Sequence, residues 1–393
     1  MAKRRVGVLF GGRSGEHEVS LVSAASVLRG LDPEKYQVIP IGITKEGRWV
    51  LPRALAAATR KTLSQAALSH SDLRRALADG QAVVLPAEPI PQGGTALRPS
   101  NPAETSAPSP LQLDVIFPVL HGTFGEDGTV QGLLELANIP YVGAGVLGSA
   151  LGMDKEVQKR LFRQAGLPVT KSISVRRPEW ENNREDVLRT VRRGLPLPVF
   201  VKPANLGSSV GITKVRAAAR LAAALDHAAE FDQKILVEEA IAGREIEVSV
   251  LGNDEPIASV PGEVIPAREF YDYAAKYLED TTRFVVPARL APRQVRRFQE
   301  LAVAAFRAIE GAGMARVDFL LERRSGKIYI NEINTIPGFT AISMYPKLWE
   351  ASGVSYPKLL DRLIELALER HREKGRTRFS IELPRQRGGV LKE

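Results

Sequence analysis

The sequence of 393 residues contains no cysteine. Disulfide bonds, thiolate metal sites and cysteine nucleophiles are therefore excluded. Aromatic residues make up only 6% of the chain, and they are not interleaved with basic clusters as in proteins that stack single-stranded nucleic acid. No uninterrupted apolar stretch approaches the roughly 20 residues that a membrane helix needs. We therefore expect neither a nucleic-acid partner nor a membrane partner.

Histidine is scarce as well. The five histidines are scattered without metal-binding spacing, at His17, His70, His121, His227 and His371.

The basic start of the chain has the charge of a secretory signal, but the apolar stretch after it ends at Gly11 and Gly12. Because that stretch is too short for a signal peptide, a cytoplasmic location is expected.

Composition and charge describe a globular protein. Hydrophobic residues make up 44% of the chain and charged residues 25%, and a chain of this length predicts two or three domains. The net charge of +9 is concentrated in arginine pairs of predicted helices and in the tail after residue 370. A basic surface without stacking aromatics suits a phosphorylated small substrate better than nucleic acid.

The first part of the chain alternates apolar strands with helices. Strands are predicted at residues 6–10, 36–43 and 114–119, and this alternation is typical of a Rossmann-like parallel α/β sheet. Residues 86–110 contain seven prolines and many small polar residues. Such a composition lacks the apolar residues for a core, so a mobile surface insertion is expected there.

Two further units are predicted. Strands near residues 169–175, 199–202 and 235–239 belong to the second, and the third has more α+β character and contains an amphipathic helix at 292–309. The expected division is an N-terminal domain at 1–154 with the insertion 86–110, a central domain at 155–240, a C-terminal domain at 241–370, and a basic tail at 371–393.

Two neighbouring strands in the third unit carry three oxygen donors. Asp318 lies on the first strand, and Glu332 and Asn334 lie on the second. Because alternate side chains share one face of a strand, the three donors project together. Oxygen ligands favour Mg²⁺, which usually serves nucleotide phosphates. The alternative is a hairpin whose acids simply face water.

Glycine-rich loops are the second chemical signal. Lys202 ends a strand and opens into a loop containing Gly207, Ser208 and Ser209, whose N–H and hydroxyl groups suit phosphate, although an ordinary surface loop is the alternative. Glu16, just inside a helix start after the turn 11–15, is on pattern alone as readily a cap-region acid as a functional residue.

Two more loops carry open alternatives. His121 precedes a turn that reads either as part of a binding site or as a helix N-terminus capped by Glu126 and Asp127, with a buried structural histidine. The aromatic, polar loop around residues 270–278 predicts a lid.

Seven motifs in fixed order resemble the D-alanine–D-alanine ligases of the ATP-grasp type, over about residues 5–370. They are GGRSGEHEVSL at 11–21, HGTFGEDGTVQG at 121–132, MDK at 153–155, VKPANLGSSVG at 201–211, YDYAAKY at 271–277, RVDF at 316–319 and EINTIPG at 332–338. The resemblance implies a three-domain ATP-grasp architecture in which ATP lies between the central and C-terminal domains and the N-terminal domain holds the first D-alanine.

The resemblance also implies the ligands of ATP and metal. The implied phosphate contacts are Lys155, Lys202, Ser209 and Lys276; the implied adenine and ribose contacts are Glu238, Glu239, Ala240 and Glu245. Two Mg²⁺ ions, which Mn²⁺ can replace, would be held by Asp318, Glu332 and Asn334.

The implied reaction joins two D-alanine molecules through a D-alanyl phosphate, for peptidoglycan precursor synthesis, in a homodimeric enzyme. The implied catalytic residues are Glu16 for the first ammonium group, Ser208 and Tyr277 for closing the lid over it, Arg316 and the Gly338 N–H for the oxyanion, Ser343 for the second carboxylate, and His121 for steadying the first substrate. Other ATP-grasp ligases that form D-alanyl-D-serine or D-alanyl-D-lactate, and an inactive nucleotide-binding regulator, stay open as alternatives.

Overall fold

The computed structural model describes residues 3–51, 69–88, 95–100, 111–266, 282–340 and 343–378. The predicted lid motif at 271–277, with Lys276 and Tyr277, lies outside these residues, as does most of the basic tail. None of the helices in the described ranges has the length and apolar composition needed to cross a bilayer.

The N-terminal sheet combines parallel and antiparallel strands. Its strands are β1 (Arg4–Gly11), β2 (Tyr36–Ile43), β3 (Trp49–Leu51), β4 (Gln81–Val84), β5 (Thr95–Pro99), β6 (Leu111–Leu113) and β7 (Val115–Pro118), in the order β6-β5-β4-β3-β2-β1-β7. β1 pairs in parallel with β2 and β7, whereas the remaining pairs are antiparallel. Among the described strands, the expectation of a parallel sheet is right for β1, β2 and β7 and wrong for the other four. The link between β2 and β3 is too short for the crossover that a parallel pair needs.

This sheet also curls on itself. A single residue, Asp114, separates β6 at one end of the strand order from β7 at the other, so the two edges must lie side by side. The Arg5 side chain of β1 pairs with Asp114 at 2.7 Å across that junction.

The expectation of a mobile insertion at 86–110 is wrong for Thr95–Pro99. This stretch forms β5 between β4 and β6, and Leu97 is only 2% exposed in the apolar core beneath the sheet. Pro99 is the last residue of the strand, so the proline content does not interrupt the ladder.

The described residues of this part of the chain form four helices: α1 (His17–Gly30), α2 (His70–Ala78), α3 (Thr129–Leu136) and α4 (Val146–Met153). In α1, Leu21, Ala24 and Leu28 recur at intervals of three and four residues and face β1 from the core. The carboxylate of Asp127 accepts the Thr129 N–H at the start of α3, which agrees for Asp127 with the capping alternative.

The central sheet is antiparallel. Its strands are β8 (Ser172–Arg176), β9 (Val199–Pro203), β10 (Thr213–Val215) and β11 (Lys234–Glu239), in the order β10-β9-β11-β8. The accompanying helices are α5 (Lys155–Gln164), α6 (Arg177–Asn182), α7 (Arg184–Gly194) and α8 (Leu221–Phe231). A separate apolar core, with Trp180, Val201 and Leu225, lies beneath this sheet.

The C-terminal sheet is built around β12. Its strands are β12 (Gly243–Gly252), β13 (Ile257–Ala258), β14 (Gly262–Ile265), β15 (Arg283–Val285), β16 (Gly313–Glu322) and β17 (Ile328–Asn334), in the order β15-β14-β12-β16-β17 with β13 beside β12. Helix α9 (Pro292–Ala308) ends one residue before the predicted limit. The Arg244 side chain of β12 pairs with Glu263 of the neighbouring strand β14.

Two more helices complete the described chain, α10 (Met344–Ala351) and α11 (Tyr356–Gly375). The predicted start of a tail at 371 is wrong, because α11 continues to Gly375. Its leucines share a core with β1. Near its end, the Arg370 guanidinium donates to the backbone carbonyls of Tyr141 and Gly143.

Candidate active site

A cavity of about 1450 Å³ is lined by residues of the central and C-terminal sheets, with α1 at one side. Ten of the predicted site residues line it: Lys202, Ser209, Glu238, Glu239, Glu245, Arg316, Asp318, Glu332, Gly338 and Ser343. Residues separated by up to 141 positions in the sequence are therefore brought to one space.

The two predicted metal strands are neighbours. In the register of β16 and β17, Arg316 lies opposite Asn334 and Asp318 lies opposite Glu332. The Asn334 amide donates to the Asp318 carboxylate at 2.9 Å. Because cross-strand partners share a face, these side chains converge at one edge of the cavity.

The guanidinium of Arg316 is held by two acids. Its Nε and Nη2 donate to the two oxygens of Asp318, both at 2.7 Å, and its Nε lies 3.0 Å from the Glu247 carboxylate. Burial alone would lower the pKa of Arg316, but these two carboxylates raise it well above its usual value. Arg316 is therefore a fixed positive charge in the cavity wall.

Glu247 was missed by the sequence reasoning. It lies opposite Asp318 in the pairing of β12 and β16, so three acids, Glu247, Asp318 and Glu332, form a row across three strands. Strand alternation could have identified Glu247, because it is two residues after the predicted ribose ligand Glu245 and lies on the same face of the strand.

The donor set at these strands fits a hard divalent cation. Asp318 and Glu332 supply carboxylate oxygens and Asn334 supplies an amide oxygen, which are the ligand types that Mg²⁺ takes in proteins. Within the described ranges, no three His, Cys, Asp or Glu side chains form a metal-binding group by themselves. The set is therefore two carboxylates and an amide, open for substrate oxygens and water.

A second charged cluster lies below the central sheet. Glu238 pairs with both Lys159 and Lys202 and accepts a hydrogen bond from Thr170 at 2.9 Å. Burial alone would raise the pKa of Glu238, but the two ammonium groups bring it down to about 2. Lys159 was not predicted, although it follows Lys155 by four residues and so lies on the same face of α5.

Lys155 connects two loops of the site. Its ammonium donates to the Leu206 carbonyl at 2.8 Å and lies 3.4 Å from the Glu332 carboxylate. The positive charge therefore sits between the glycine-rich loop of the central sheet and the metal strands, although Lys155 does not line the cavity.

The predicted adenine residues lie at the end of β11. Glu239 accepts the Lys171 N–H at 2.7 Å, and the Ala240 N–H donates to the Pro198 carbonyl at 3.0 Å. Both groups therefore have protein partners in this structure.

Glu16 closes against the glycine-rich loops. Its carboxylate accepts a hydrogen bond from the Ser208 hydroxyl, which brings the first turn of the chain to the loop after β9. A Cβ atom added at either Gly122 or Gly207 would lie 2.5 Å from Glu16 Oε2. Only glycine at these positions lets both loops approach the carboxylate so closely.

His121 lies behind the cavity wall. Its Nδ1 bonds the Ile336 carbonyl at 3.0 Å, and its Nε2 lies 3.1 Å from the Ser23 hydroxyl. Burial lowers the pKa of His121, despite the opposing charge of Glu16. Both ring nitrogens are therefore engaged by the protein, and the ring is neutral.

The sequence left open whether Glu126 caps a helix. It does not cap α3; its two oxygens accept the Gly122 N–H at 2.8 Å and the Ile336 N–H at 3.0 Å. Burial, and then the charge of Glu16, raise the pKa of Glu126 to about 8.

Ser343 lies over the last predicted motif. Its hydroxyl accepts the Thr340 N–H at 3.0 Å, and a Cβ atom added at Gly338 would lie 2.8 Å from it. The glycine therefore allows the hydroxyl to stand beside the Gly338 peptide, at the cavity edge.

Comparison with known proteins gives matches along nearly the whole chain. Residues 5–144 match the family model described as D-ala D-ala ligase N-terminus, and residues 161–365 match the one described as D-ala D-ala ligase C-terminus. The D-alanine–D-alanine ligase of Heliobacterium modesticaldum is 51% identical over 98% of this chain and 100% of its own. That of Natranaerobius thermophilus is 50% identical over 96% of this chain and 98% of its own.

Solved structures agree with these matches. The D-alanine–D-alanine ligase of Coxiella burnetii superimposes with a TM-score of 0.79 at 36% identity, over 95% of this chain and 97% of that one. The VanG D-Ala:D-Ser ligase of Enterococcus faecalis gives a TM-score of 0.79 at 36% identity, over 93% of this chain and 100% of that one. The fold is thus the mixed α/β ATP-grasp fold. Since both halves match the family models and curated relatives align end to end, the chain belongs to the D-alanine–D-alanine ligase family of ATP-dependent ligases.

Proposed function

We propose that the chain joins two D-alanine molecules into D-alanyl-D-alanine, with conversion of ATP to ADP and phosphate, inside the 1450 Å³ cavity. The observation that carries the proposal is the meeting of three groups in and around one space. These are the Glu16–Ser208 contact, the Lys202–Glu238 cluster, and the strand pair with Asp318 and Glu332.

The first step is transfer of a phosphoryl group. A carboxylate oxygen of the first D-alanine attacks the γ-phosphorus of ATP, the bond to the bridging oxygen breaks, and ADP leaves with D-alanyl phosphate formed. A free carboxylate does not react with an amine, so this activation is required. The lysines at positions 155, 202 and 276 would neutralise the phosphate charge.

The second step forms the amide. The amine of the second D-alanine attacks the acyl carbon, the C–O bond to phosphate breaks, and the amine proton is lost. Arg316, held by Asp318 and Glu247, and the Gly338 N–H would stabilise the negative oxygen of the tetrahedral intermediate. One preorganised donor of this kind contributes about 3 kcal/mol. The Glu16 carboxylate would hold the first ammonium group, and Ser343 would meet the second carboxylate.

The metal ligands would be Asp318, Glu332 and Asn334. A bound Mg²⁺ supplies charge neutralisation for the transferring phosphate. We propose two such ions, with Mn²⁺ as a substitute, on the strength of the resemblance and of the oxygen-only donor set. We also propose a domain division at 154/155 and 240/241, a homodimer and a cytoplasmic location, all on the strength of the resemblance.

The remaining site roles rest on the same resemblance. Ser209 would contact the phosphates; Glu238, Glu239 and Ala240 the adenine; Glu245 the ribose; His121 would steady the first substrate through its neighbours, and Tyr277 would close the lid. Ser209 and Glu245 both line the cavity, which supports these two roles.

Phosphate release from Mg-ATP tests the proposal. The assay would contain D-alanine, L-alanine, D-serine or D-lactate, with the products identified by mass. Release that depends on D-alanine and yields D-alanyl-D-alanine is expected. Faster turnover to D-alanyl-D-serine than to D-alanyl-D-alanine would move the assignment towards the specificity named for the Enterococcus faecalis protein. ATP binding without turnover would favour the alternative of an inactive nucleotide-binding regulator.

A further inference from the structure

A buried polar network joins the N-terminal part of the chain to residues 336–339, which carry the proposed oxyanion donor Gly338. The members from the N-terminal part are Ser23 of α1, His121 and Glu126. All three lie outside the cavity lining. They contact the loop from behind the cavity wall.

Each contact that this network makes with residues 336–339 is directed to the backbone. Glu126 accepts the Ile336 N–H at 3.0 Å, His121 bonds the Ile336 carbonyl at 3.0 Å, and Ser23 accepts the Phe339 N–H at 3.3 Å. The peptide groups on both sides of Gly338 are therefore held, and they fix the direction in which the Gly338 N–H points.

The proton arrangement of the network is self-consistent. A carbonyl only accepts, so His121 carries its proton on Nδ1, and its Nε2 accepts from the Ser23 hydroxyl. The Ser23 oxygen in turn accepts the Phe339 N–H. One neutral histidine tautomer thus satisfies three hydrogen bonds at once, which leaves a single orientation for the serine.

The side chain of Phe339 anchors the other end of the loop. It is fully buried and packs edge-on against Phe117 of β7, with ring centroids 5.8 Å apart. The Tyr356 hydroxyl donates to the Phe339 carbonyl at 3.4 Å. The loop is therefore fixed by core packing after Gly338 and by hydrogen bonds on either side of it.

We propose that Glu126, with Ser23, is a positioning residue for amide formation, because it orients the Gly338 N–H from across the junction between the N-terminal part and the C-terminal sheet. The proposal rests on the proposed function, in which that N–H stabilises the oxyanion. It assigns to the buried acid of the HGTFGEDG motif a role in the second chemical step rather than in binding ATP.

The chemistry predicts a step-specific defect. Phosphoryl transfer to the carboxylate creates no tetrahedral carbon, so it does not need the Gly338 N–H. Attack of the amine does need it, and a misdirected donor slows that step alone. D-alanyl phosphate would then persist and react with water, so more than one phosphate would be released for each dipeptide.

The test uses Glu126→Gln and Ser23→Ala in the full chain. Glu126→Gln replaces one acceptor oxygen by an NH₂ group that faces an N–H donor, and Ser23→Ala removes the acceptor for Phe339. We expect dipeptide formation to fall about ten- to hundredfold, with KM for ATP unchanged and ADP formation in a single turnover near the wild-type rate. The phosphate-to-dipeptide ratio should rise above one.

Two control variants are matched to these changes. Glu135→Gln weakens another link between the N-terminal part and α11, the pair with Lys374, without touching residues 336–339. Ser149→Ala removes a buried hydroxyl that bonds the Ala144 carbonyl at 3.3 Å. Both should keep the wild-type rate and a ratio of one, even where they lower the melting temperature.

Three outcomes overturn the inference. Wild-type coupling in both Glu126→Gln and Ser23→Ala would show that the loop does not need these contacts. Equal slowing of ADP and dipeptide formation would show a general structural defect. A wild-type protein that forms no dipeptide from D-alanine would remove the proposed function itself, and the unmodified chain is assayed first so that this case is recognised.

Discussion

Arg316 and Asp318 meet fork to fork on the same strand, with both N···O distances at 2.7 Å. A bidentate guanidinium–carboxylate pair is among the strongest and most directional ion pairs in proteins. The proposed oxyanion donor and the proposed metal ligand are therefore coupled. A cation that binds the Asp318 carboxylate competes with the Arg316 guanidinium for that carboxylate. When the cation is bound, Glu247 is the second acid that still holds the guanidinium.

Asp318→Asn should abolish turnover without unfolding the protein. The amide keeps the shape but loses the charge that a metal ion and Arg316 both need, so we expect kcat to fall by about 100-fold or more. Steady-state kinetics and thermal unfolding would be measured together. Glu322→Gln, at the partly buried last residue of β16, is the matched control. A fully active Asp318→Asn variant would remove the metal assignment.

Glu247→Gln should weaken the response to Mg²⁺. With Glu247 neutral, the whole charge of Arg316 falls on Asp318, and the guanidinium competes more strongly with the cation. We expect the Mg²⁺ concentration for half-maximal activity to rise several-fold, which corresponds to about 1 kcal/mol of binding free energy lost to the competing guanidinium. A titration of activity with Mg²⁺ measures this. An unchanged midpoint would mean that Glu247 does not share the guanidinium.

Gly207→Ala should impair the first D-alanine site. The new methyl group would lie 2.5 Å from Glu16 Oε2, so either the carboxylate or the loop must move. We expect KM for D-alanine to rise roughly tenfold while KM for ATP changes little. Gly132→Ala, where an added Cβ atom meets nothing within 4 Å, is the control. Equal changes in both KM values would argue against the placement of Glu16.

The buried acid Glu126 should make stability depend on pH. Its pKa is raised to about 8 in the folded protein from an ordinary value of 4.5. The folded state therefore holds the proton more tightly, and the unfolding free energy of the wild type should fall, relative to Glu126→Gln, as the pH rises from about 5 to 8. Urea unfolding at pH 5.5, 6.5 and 7.5 checks this.

Urea unfolding at the same three pH values is repeated with D-alanine present. The charge of Glu16 is one cause of the raised pKa, and the ammonium group of bound D-alanine would offset that charge. The difference between wild type and Glu126→Gln should therefore vary less with pH when D-alanine is bound. A steeper dependence in its presence would contradict the placement of the ammonium group at Glu16.

The part of the site that lies along single strands was predictable. Alternation alone places Arg316 and Asp318 on one face and Glu332 and Asn334 on another strand's face, and the observed register pairs them. Lys159 was within reach of the same reasoning, because helix periodicity puts it one turn after Lys155.

Composition misled the prediction where a few residues decide the structure. Among the described residues of the proline-rich stretch, Thr95–Pro99 form a strand, and Leu97 anchors it in the core. An average over residues 86–110 hides such a short element. The contacts of Glu126 and Arg370 lie more than 200 positions away in the sequence, at Ile336 and Gly143 respectively, and no local pattern encodes them.

Helix α11, near the end of the described chain, shares an apolar core with the first strand of the chain. Leu359, Leu360 and Leu363 complete the apolar core that begins with Val6 and Val8 of β1. During translation, the first strands leave the ribosome long before these leucines are made, so part of the core between β1 and α11 stays unfilled until then. The beginning of the chain reaches its final packing only when nearly all of the described chain has been made.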